Sequence, residues 1–222
     1  MKKILMLLAS ALILSGTACA IDNLESSETS SNLSANGKAS GNAKVLVAYY
    51  SDTGTTKSVA EKIASYLNTD LLKIESVNPY SRSDLNWNDK TSRVVKEHDA
   101  IFGSKGNGQA SAEDFKNAAS QVSTEIDSKS VIDLSAYDVV FIGYPIWWGM
   151  AAWPVNGFVT QNNFSGKTVV PFATSMSSNL GQSDKVLHDV AGSNNGNWIS
   201  GHRFGTRASD SEVHSWVDGL KL

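Results

Sequence analysis

The sequence has almost no cysteine and no basic cluster. Cys19 is the only cysteine among 222 residues, so no intramolecular disulfide, cysteine-rich zinc site or iron–sulfur cluster can form. Lysine and arginine number 19 against 22 acidic residues, which gives a formal net charge of −3. No run of basic residues could follow a phosphate backbone. Nucleic acid is therefore not an expected partner, and any redox chemistry must come from a bound cofactor.

Glycine, proline and metal-binding patterns are also sparse. The chain has 17 glycines and 4 prolines, far below the content of collagen-like or wholly disordered chains. No Gly-x-Ser-x-Gly turn marks a serine nucleophile. With 41% hydrophobic residues, the chain can form one buried domain. We predict neither a metal site nor a catalytic side chain, because the histidines are scattered without metal-ligand spacing, at His98, His188, His202 and His214.

Residues 1–20 are typical of an export signal. A basic start precedes the apolar stretch Ile4–Leu14, and small residues follow it at Ser15–Ala20. The apolar stretch is too short to cross a bilayer, which requires about 20 residues. Cys19 resembles the acceptor cysteine of a bacterial lipoprotein, so we expect a lipid anchor that attaches the protein to the membrane of the cell envelope. The alternative is cleavage after the small residues around Cys19 and release of a soluble, secreted protein.

Residues 21–42 are predicted to form a disordered linker. The stretch is rich in serine, asparagine and glycine and has no hydrophobic periodicity. From residue 43 onward, short apolar runs alternate with helical patterns, so residues 43–222 are predicted to form the folded domain.

The pattern in this domain indicates an α/β fold. Its apolar runs are uninterrupted, which is typical of a parallel sheet covered on both faces. We interpret residues 76–135 as an insertion in which Asp89 and Ser111 could each cap a helix. Further helices are predicted at Met150–Gln161, at Ser183–Ala191 and after Ser209, where a capping box precedes an amphipathic pattern. Strands are predicted at Lys44–Tyr50, Leu71–Glu75, Asp138–Tyr144, Thr168–Thr174 and around Trp198–Phe204.

The segment Ser51–Thr56 lies where the first strand ends and the first helix begins. Backbone N–H groups at a helix N-terminus are unpaired and carry the positive end of the helix dipole. Hydroxyl groups add donors here, and Gly54 allows the backbone to approach a guest closely. The segment therefore predicts a phosphate site. The alternative is that its serine and threonine residues merely cap the helix.

Two further segments follow the third and fourth strands. Gly143–Gly149 carries the adjacent Trp147 and Trp148, which would expose a large apolar area unless a flat partner covers them. Ala173–Gly181 offers small polar residues to the rim of a heterocycle. Loops at the carboxyl ends of parallel strands converge on one crevice, so all three segments should meet there. The alternative is that the tryptophans pack beneath a loop or at a subunit interface.

Together these segments resemble the flavodoxin-like family over residues 43–222. The resemblance implies a doubly wound, five-stranded parallel sheet of order 2-1-3-4-5, with helices on both faces and FMN bound noncovalently at its carboxyl edge. By the same implication, the FMN phosphate is held by Ser51, Thr53, Gly54, Thr55 and Thr56. The isoalloxazine ring is lined by Pro145, Ile146, Trp147, Trp148 and Gly149, and its other side by Thr174, Ser175, Ser178, Asn179 and Gly181.

The resemblance implies an electron carrier that serves redox partner proteins, and the export signal would place it at the cell envelope. Two other functions stay open: an NAD(P)H-dependent FMN-containing reductase of quinones or flavins as small acceptors, and a nonredox module that binds a flavin. No Gly-x-Gly-x-x-Gly sequence follows a strand, but enzymes of this fold can accept nicotinamide directly over the flavin. The flavin would carry the chemistry, and no catalytic acid or base is predicted.

Overall fold

The computed structural model describes residues 43–192 and 196–222. The predicted export signal, Cys19 and the linker of residues 21–42 lie outside the described residues. In the part of the chain that is described, no helix is both long enough and apolar enough to span a membrane.

One twisted sheet forms the centre of the fold. The strands of the described chain are β1 (Val45–Tyr49), β2 (Asp70–Lys73), β3 (Val139–Trp147), β4 (Met150–Ala151), β5 (Thr168–Thr174), β6 (Asn197–Trp198) and β7 (His202–Phe204). They follow the order β2-β1-β3-β5-β6 across the sheet, with β7 also paired to β5, and all these pairs are parallel. Since β6 and β7 share the outermost position, the sheet has five positions in the predicted order 2-1-3-4-5, and the fold prediction is confirmed.

Helices cover both faces of this sheet. Val59 and Ile63 of the first helix pack with Val213 and Val217 of the last helix in one apolar cluster, and the remaining helices contribute to a second cluster. The uninterrupted apolar strands are therefore buried on both sides, as their sequences indicate. The helices are α1 (Thr55–Leu67), α2 (Arg93–Phe102), α3 (Ala112–Asn117), α4 (Trp153–Gln161), α5 (Ser183–Ala191) and α6 (Asp210–Gly219).

Strand β3 is longer than predicted. The expected end was Tyr144, but the strand continues to Trp147, because Ile146 and Trp147 pair in antiparallel fashion with the short strand β4. The tryptophan segment is thus the end of a hairpin, and Met150 belongs to a strand. Helix α4 consequently begins at Trp153 and not at Met150.

Other boundaries also differ from the prediction. Strand β2 ends at Lys73 and not at Glu75. Helix α2 is capped by Ser92, whose side chain accepts from the backbone N–H of Val95, and not by Asp89 as predicted. The Asp89 carboxylate instead accepts from the backbone N–H of Thr91. Ser111 caps α3, as predicted, and Asp114 completes a capping box with it.

The insertion between β2 and β3 packs closely on helix α4. Gly157 is the contact point, because a methyl group built on it would lie 1.7 Å from the carbonyl oxygen of Thr124. An isolated bridge between Ser76 and Ile126 ties the two ends of this segment together. The insertion is therefore part of the packed domain.

We expect Gly157→Ala to destabilise the fold by about 1–3 kcal/mol, since the added methyl group must displace backbone in a packed contact. The matched control is Gly219→Ala at the end of α6, where a methyl group meets nothing within 4 Å. It should change stability by less than about 1 kcal/mol, and in the favourable direction. Urea unfolding of both variants measures the difference. Equal stabilities would contradict the packing described for Gly157.

Candidate functional site

Three segments meet at the carboxyl edge of the sheet. They follow β1, β3 and β5, which are parallel neighbours. The hydroxyl groups of Thr56 and Thr174 lie 2.8 Å apart, which joins the first segment to the end of β5. A methyl group built on Gly181 would lie 3.5 Å from the carbonyl oxygen of Gly149, which brings the third segment against the second. The structure thus brings the predicted loops together.

The first segment leaves the N-terminus of α1 open. Gly54 precedes the helix with φ +90°, and within the described part of the chain no side chain caps it. Serine side chains do cap α2, α3 and α6. A methyl group on Gly54 would meet nothing within 4 Å. The first-turn N–H groups of Thr55 and Thr56 therefore face space that an anion can fill.

The hydroxyl groups of this segment have different environments. Thr56 is buried and its hydroxyl pairs with that of Thr174, with either oxygen as the donor, so we assign only its backbone N–H to a guest. The Ser51 hydroxyl accepts from the N–H of Gly54 at 3.1 Å and keeps its own proton to donate. Thr53 is exposed, and Thr55 is half-buried. Ser51, Thr53 and Thr55 are thus the side-chain donors that remain.

Tyr50 and Asp52 connect the first segment to the tryptophans. The Tyr50 hydroxyl donates to the Asp52 carboxylate at 2.5 Å, and the Tyr50 ring lies 6.0 Å from that of Trp147. Burial, and then the bond to Asp52, raises the pKa of the Tyr50 phenol. The pKa of Asp52 is also raised by desolvation, which the Tyr50 bond partly opposes. Tyr50 therefore remains a protonated donor and directs the carboxylate toward itself.

The tryptophan pair forms a tight turn backed by other rings. Trp148 and Gly149 have φ values of +46° and +83°, as a two-residue hairpin turn requires. Trp147 contacts the Trp153 ring edge to face at 5.4 Å, and Trp148 stacks above the same ring at 6.1 Å. His98 lies 4.7 Å from Trp148. Both members of the pair are half-buried, so part of each indole remains available for contact. Pro145 and Ile146, also half-buried, precede them in β3.

The loop after α2 also reaches this turn, which the sequence analysis missed. The N–H of Gly108 donates to the carbonyl oxygen of Trp148 at 2.8 Å. A methyl group on Gly149 would lie 2.8 Å from the Cα atom of Gly108. Glycine is thus required at position 149 for both its φ and this approach. Tyr80 and His98, which back the tryptophans from the insertion, were missed as well.

The third segment is held at its base and open at its tip. Arg203 on β7 donates to the hydroxyl and the carbonyl oxygen of Ser175, at 2.9 and 3.1 Å, and the same hydroxyl donates to the carbonyl oxygen of Ser178. Ser178, Asn179 and Gly181 are exposed. Arg203 gave no signal in the sequence, because it meets this segment only through the pairing of β7 with β5.

These features suit a flat ligand that carries an anionic group. An open helix N-terminus lies at the same edge as two indole rings and an exposed polar loop. Within residues 43–192 and 196–222, no group of three or more His, Cys, Asp and Glu side chains could hold a metal ion. The helix end, the indoles and the polar loop are the groups that this edge presents to a ligand.

Comparisons with known proteins give one family. A family model described as Flavodoxin matches residues 44–220. A candidate flavoprotein of known structure from Bacteroides eggerthii DSM 20697 is 35% identical, with a TM-score of 0.63 over 82% of this chain and 99% of its own. Another, from Bacteroides uniformis ATCC 8492, is 32% identical, with a TM-score of 0.63 over 79% of this chain and 98% of its own.

A more distant structure is a flavoprotein in complex with FMN from Lactobacillus acidophilus NCFM. It is 24% identical, with a TM-score of 0.51 over 78% of this chain and 98% of its own, and this likeness concerns the fold alone. No curated protein matches the chain.

The Thr56–Thr174 pair supplies a test of how the first and third segments are joined. We expect Thr56→Val and Thr174→Val each to destabilise the protein by about 1–3 kcal/mol, because each leaves a buried hydroxyl without its partner. The double variant should lose little more stability than either single variant, since it leaves no unpaired hydroxyl. Urea unfolding of the four proteins gives the coupling energy. Fully additive losses would contradict a direct bond between the two hydroxyls.

Proposed function

This chain belongs to the flavodoxin family, and we propose that it binds FMN noncovalently where the three segments meet at the carboxyl edge of the sheet. We propose further that the protein is an electron carrier. The observation that carries the proposal is the open N-terminus of α1 beside the tryptophan turn. Gly54 begins this helix without a side-chain cap, so an anion can complete it without any basic residue.

The phosphate group fits the donors of the first segment. The backbone N–H groups of Thr55 and Thr56 would bind it, together with the hydroxyls of Ser51, Thr53 and Thr55. The open space at Gly54 admits a phosphate oxygen close to the backbone. The Asp52 carboxylate of the same segment accepts from the Tyr50 hydroxyl.

The ring system fits the wall formed by the tryptophan turn. Trp147 and Trp148 offer half-buried indole surface, which suits stacking on a planar heterocycle. Ser175, Ser178, Asn179 and Gly181 would contact the ring from the third segment, and Pro145 and Ile146 would contact it from β3. When bound, FMN supplies the electron-transfer chemistry, while the residues of this chain bind it, orient it and exclude water.

Titration of the apoprotein with FMN tests the binding site. We expect Trp147→Ala or Trp148→Ala to weaken FMN binding by about 1–3 kcal/mol, the scale of base–aromatic stacking. Riboflavin should bind more weakly than FMN, since it lacks the phosphate. The control is Trp87→Ala, which removes an indole that is 69% exposed and should leave the affinity unchanged. Quenching of flavin fluorescence gives each Kd.

Two outcomes would contradict the site. One is a protein that does not bind FMN, and the other is equal FMN affinity in the wild type and both tryptophan variants. Anaerobic addition of NAD(P)H then separates the functions. An electron carrier should leave the flavin spectrum unchanged, whereas rapid bleaching would identify an NAD(P)H-dependent reductase.

We further propose that the protein works at the cell envelope, anchored through a lipidated Cys19. The proposal is supported by the basic start, apolar stretch and small residues that precede this cysteine. Mass spectrometry of the mature protein should find an acylated Cys19 at its N-terminus. Cys19→Ala should shift the protein from the membrane fraction to the soluble fraction. An unmodified mature N-terminus beyond Cys19 would instead indicate release as a soluble protein.

A further inference from the structure

The insertion places one ring directly against Trp147. The ring of Tyr80 lies 5.2 Å from that of Trp147, at an interplanar angle of 74°. Tyr80 is only 8% exposed, so the contact is inside the protein. Tyr50 also meets Trp147 edge to face, at 6.0 Å and 87°. Two tyrosines from separate parts of the chain thus restrict the orientation of one indole.

An ion pair between half-buried Arg93 and buried Glu97 fixes Tyr80 in turn. Its hydroxyl donates to Glu97 at 2.5 Å, and the Arg93 guanidinium lies 3.9 Å from the centre of its ring. Arg93 and Glu97 are themselves 3.2 Å apart on α2, and Glu97 is 3% exposed. Tyr80 is therefore held both by its hydroxyl and by its face.

The polar groups around this ion pair are satisfied by the backbone of the insertion. Glu97 accepts from the N–H of Ser123 at 3.0 Å. Arg93 donates to the carbonyl oxygens of Asn78 and Pro79 at 2.9 and 3.3 Å. Three separate stretches of the insertion therefore meet at the pair. A largely buried charge pair with satisfied partners permits one geometry much better than any other.

We propose that Tyr80 is a positioning residue that holds the Trp147 indole in the orientation needed for flavin binding, and that Arg93 and Glu97 hold Tyr80. The inference takes the identity of the ligand from the proposed function, whereas the contacts of Tyr80 with Trp147, Arg93 and Glu97 do not depend on that function. A stacking wall is effective only if its ring is already oriented, because ordering an indole on binding would reduce the affinity. The edge-to-face contact with Tyr80 provides that order in advance.

The test is a mutant cycle between Tyr80 and Trp147, read by FMN titration. We expect Tyr80→Leu to weaken FMN binding by about three- to tenfold, the scale of one aromatic pair. In the Trp147→Ala background the same change should have no further effect, because its target is gone. Tyr80→Phe keeps the ring and should retain most of the affinity. Equal losses in both backgrounds would overturn the proposal, since Tyr80 would then act through the fold in general.

Tyr66→Leu is the matched control. Tyr66 also stacks on a ring, that of His214 at 3.9 Å, and donates to a carboxylate, that of Asp218 at 2.8 Å. It lies on α1 with the opposite apolar cluster, so its loss should leave FMN affinity unchanged. A loss as large as that of Tyr80→Leu would count against a specific role for Tyr80.

A measurement on the apoprotein separates this inference from the proposed function. The long-wavelength tryptophan band of the near-ultraviolet circular dichroism spectrum, where tyrosine does not absorb, should change on Tyr80→Leu. This change should be absent in the Trp147→Ala background, whether or not the wild type binds FMN. An unchanged spectrum would overturn the positioning role. If Tyr80→Leu does not fold, Tyr80→Met replaces it, because this flexible side chain also removes the ring but fills more of its space. The same loss of FMN affinity, absent without Trp147, is expected, and full affinity would overturn the proposal.

Discussion

The parallel pairing of β1, β3 and β5 is the constraint on which the site depends. Tyr49 is aligned with Gly143, and Pro145 with Thr174, so the three strands end at nearly the same height. Each following segment therefore begins at one edge of the sheet. Gly143 allows this packing, because a methyl group on it would lie 2.2 Å from the ring of Phe172.

Features that could be predicted from the sequence are those with a local signal. The apolar strands, the segment Ser51–Thr56 and the helix cap at Ser111 can each be recognised from a few neighbouring residues. The end of β3 could not be predicted, because its last residues pair with a strand of only two residues, Met150–Ala151. Such a short strand has no periodicity of its own.

Residues that support the site from a distance gave no such signal. Arg203 reaches Ser175 from the neighbouring strand β7, and His98 reaches Trp148 from the middle of a long insertion. An arginine in a short strand or a histidine on a helix is ordinary in sequence, and only tertiary packing gives it a role. The tryptophans themselves were recognised, but the rings behind them come from residues that a single sequence does not connect. The contacts that a long insertion makes with the site are therefore harder to predict from sequence than a local motif.

The site combines a rigid wall with an open loop. Trp148 is a non-glycine residue at positive φ, a conformation that persists only where its surroundings determine it. Here the hydrogen bond from Gly108, the hairpin with β4 and the contact with the tilted His98 ring do so. The tip of the third segment is different, since Met176 is 89% exposed and its neighbours bond mainly at the base. Because the cost of ordering side chains is paid on binding, the fixed indoles favour affinity for a flat ring.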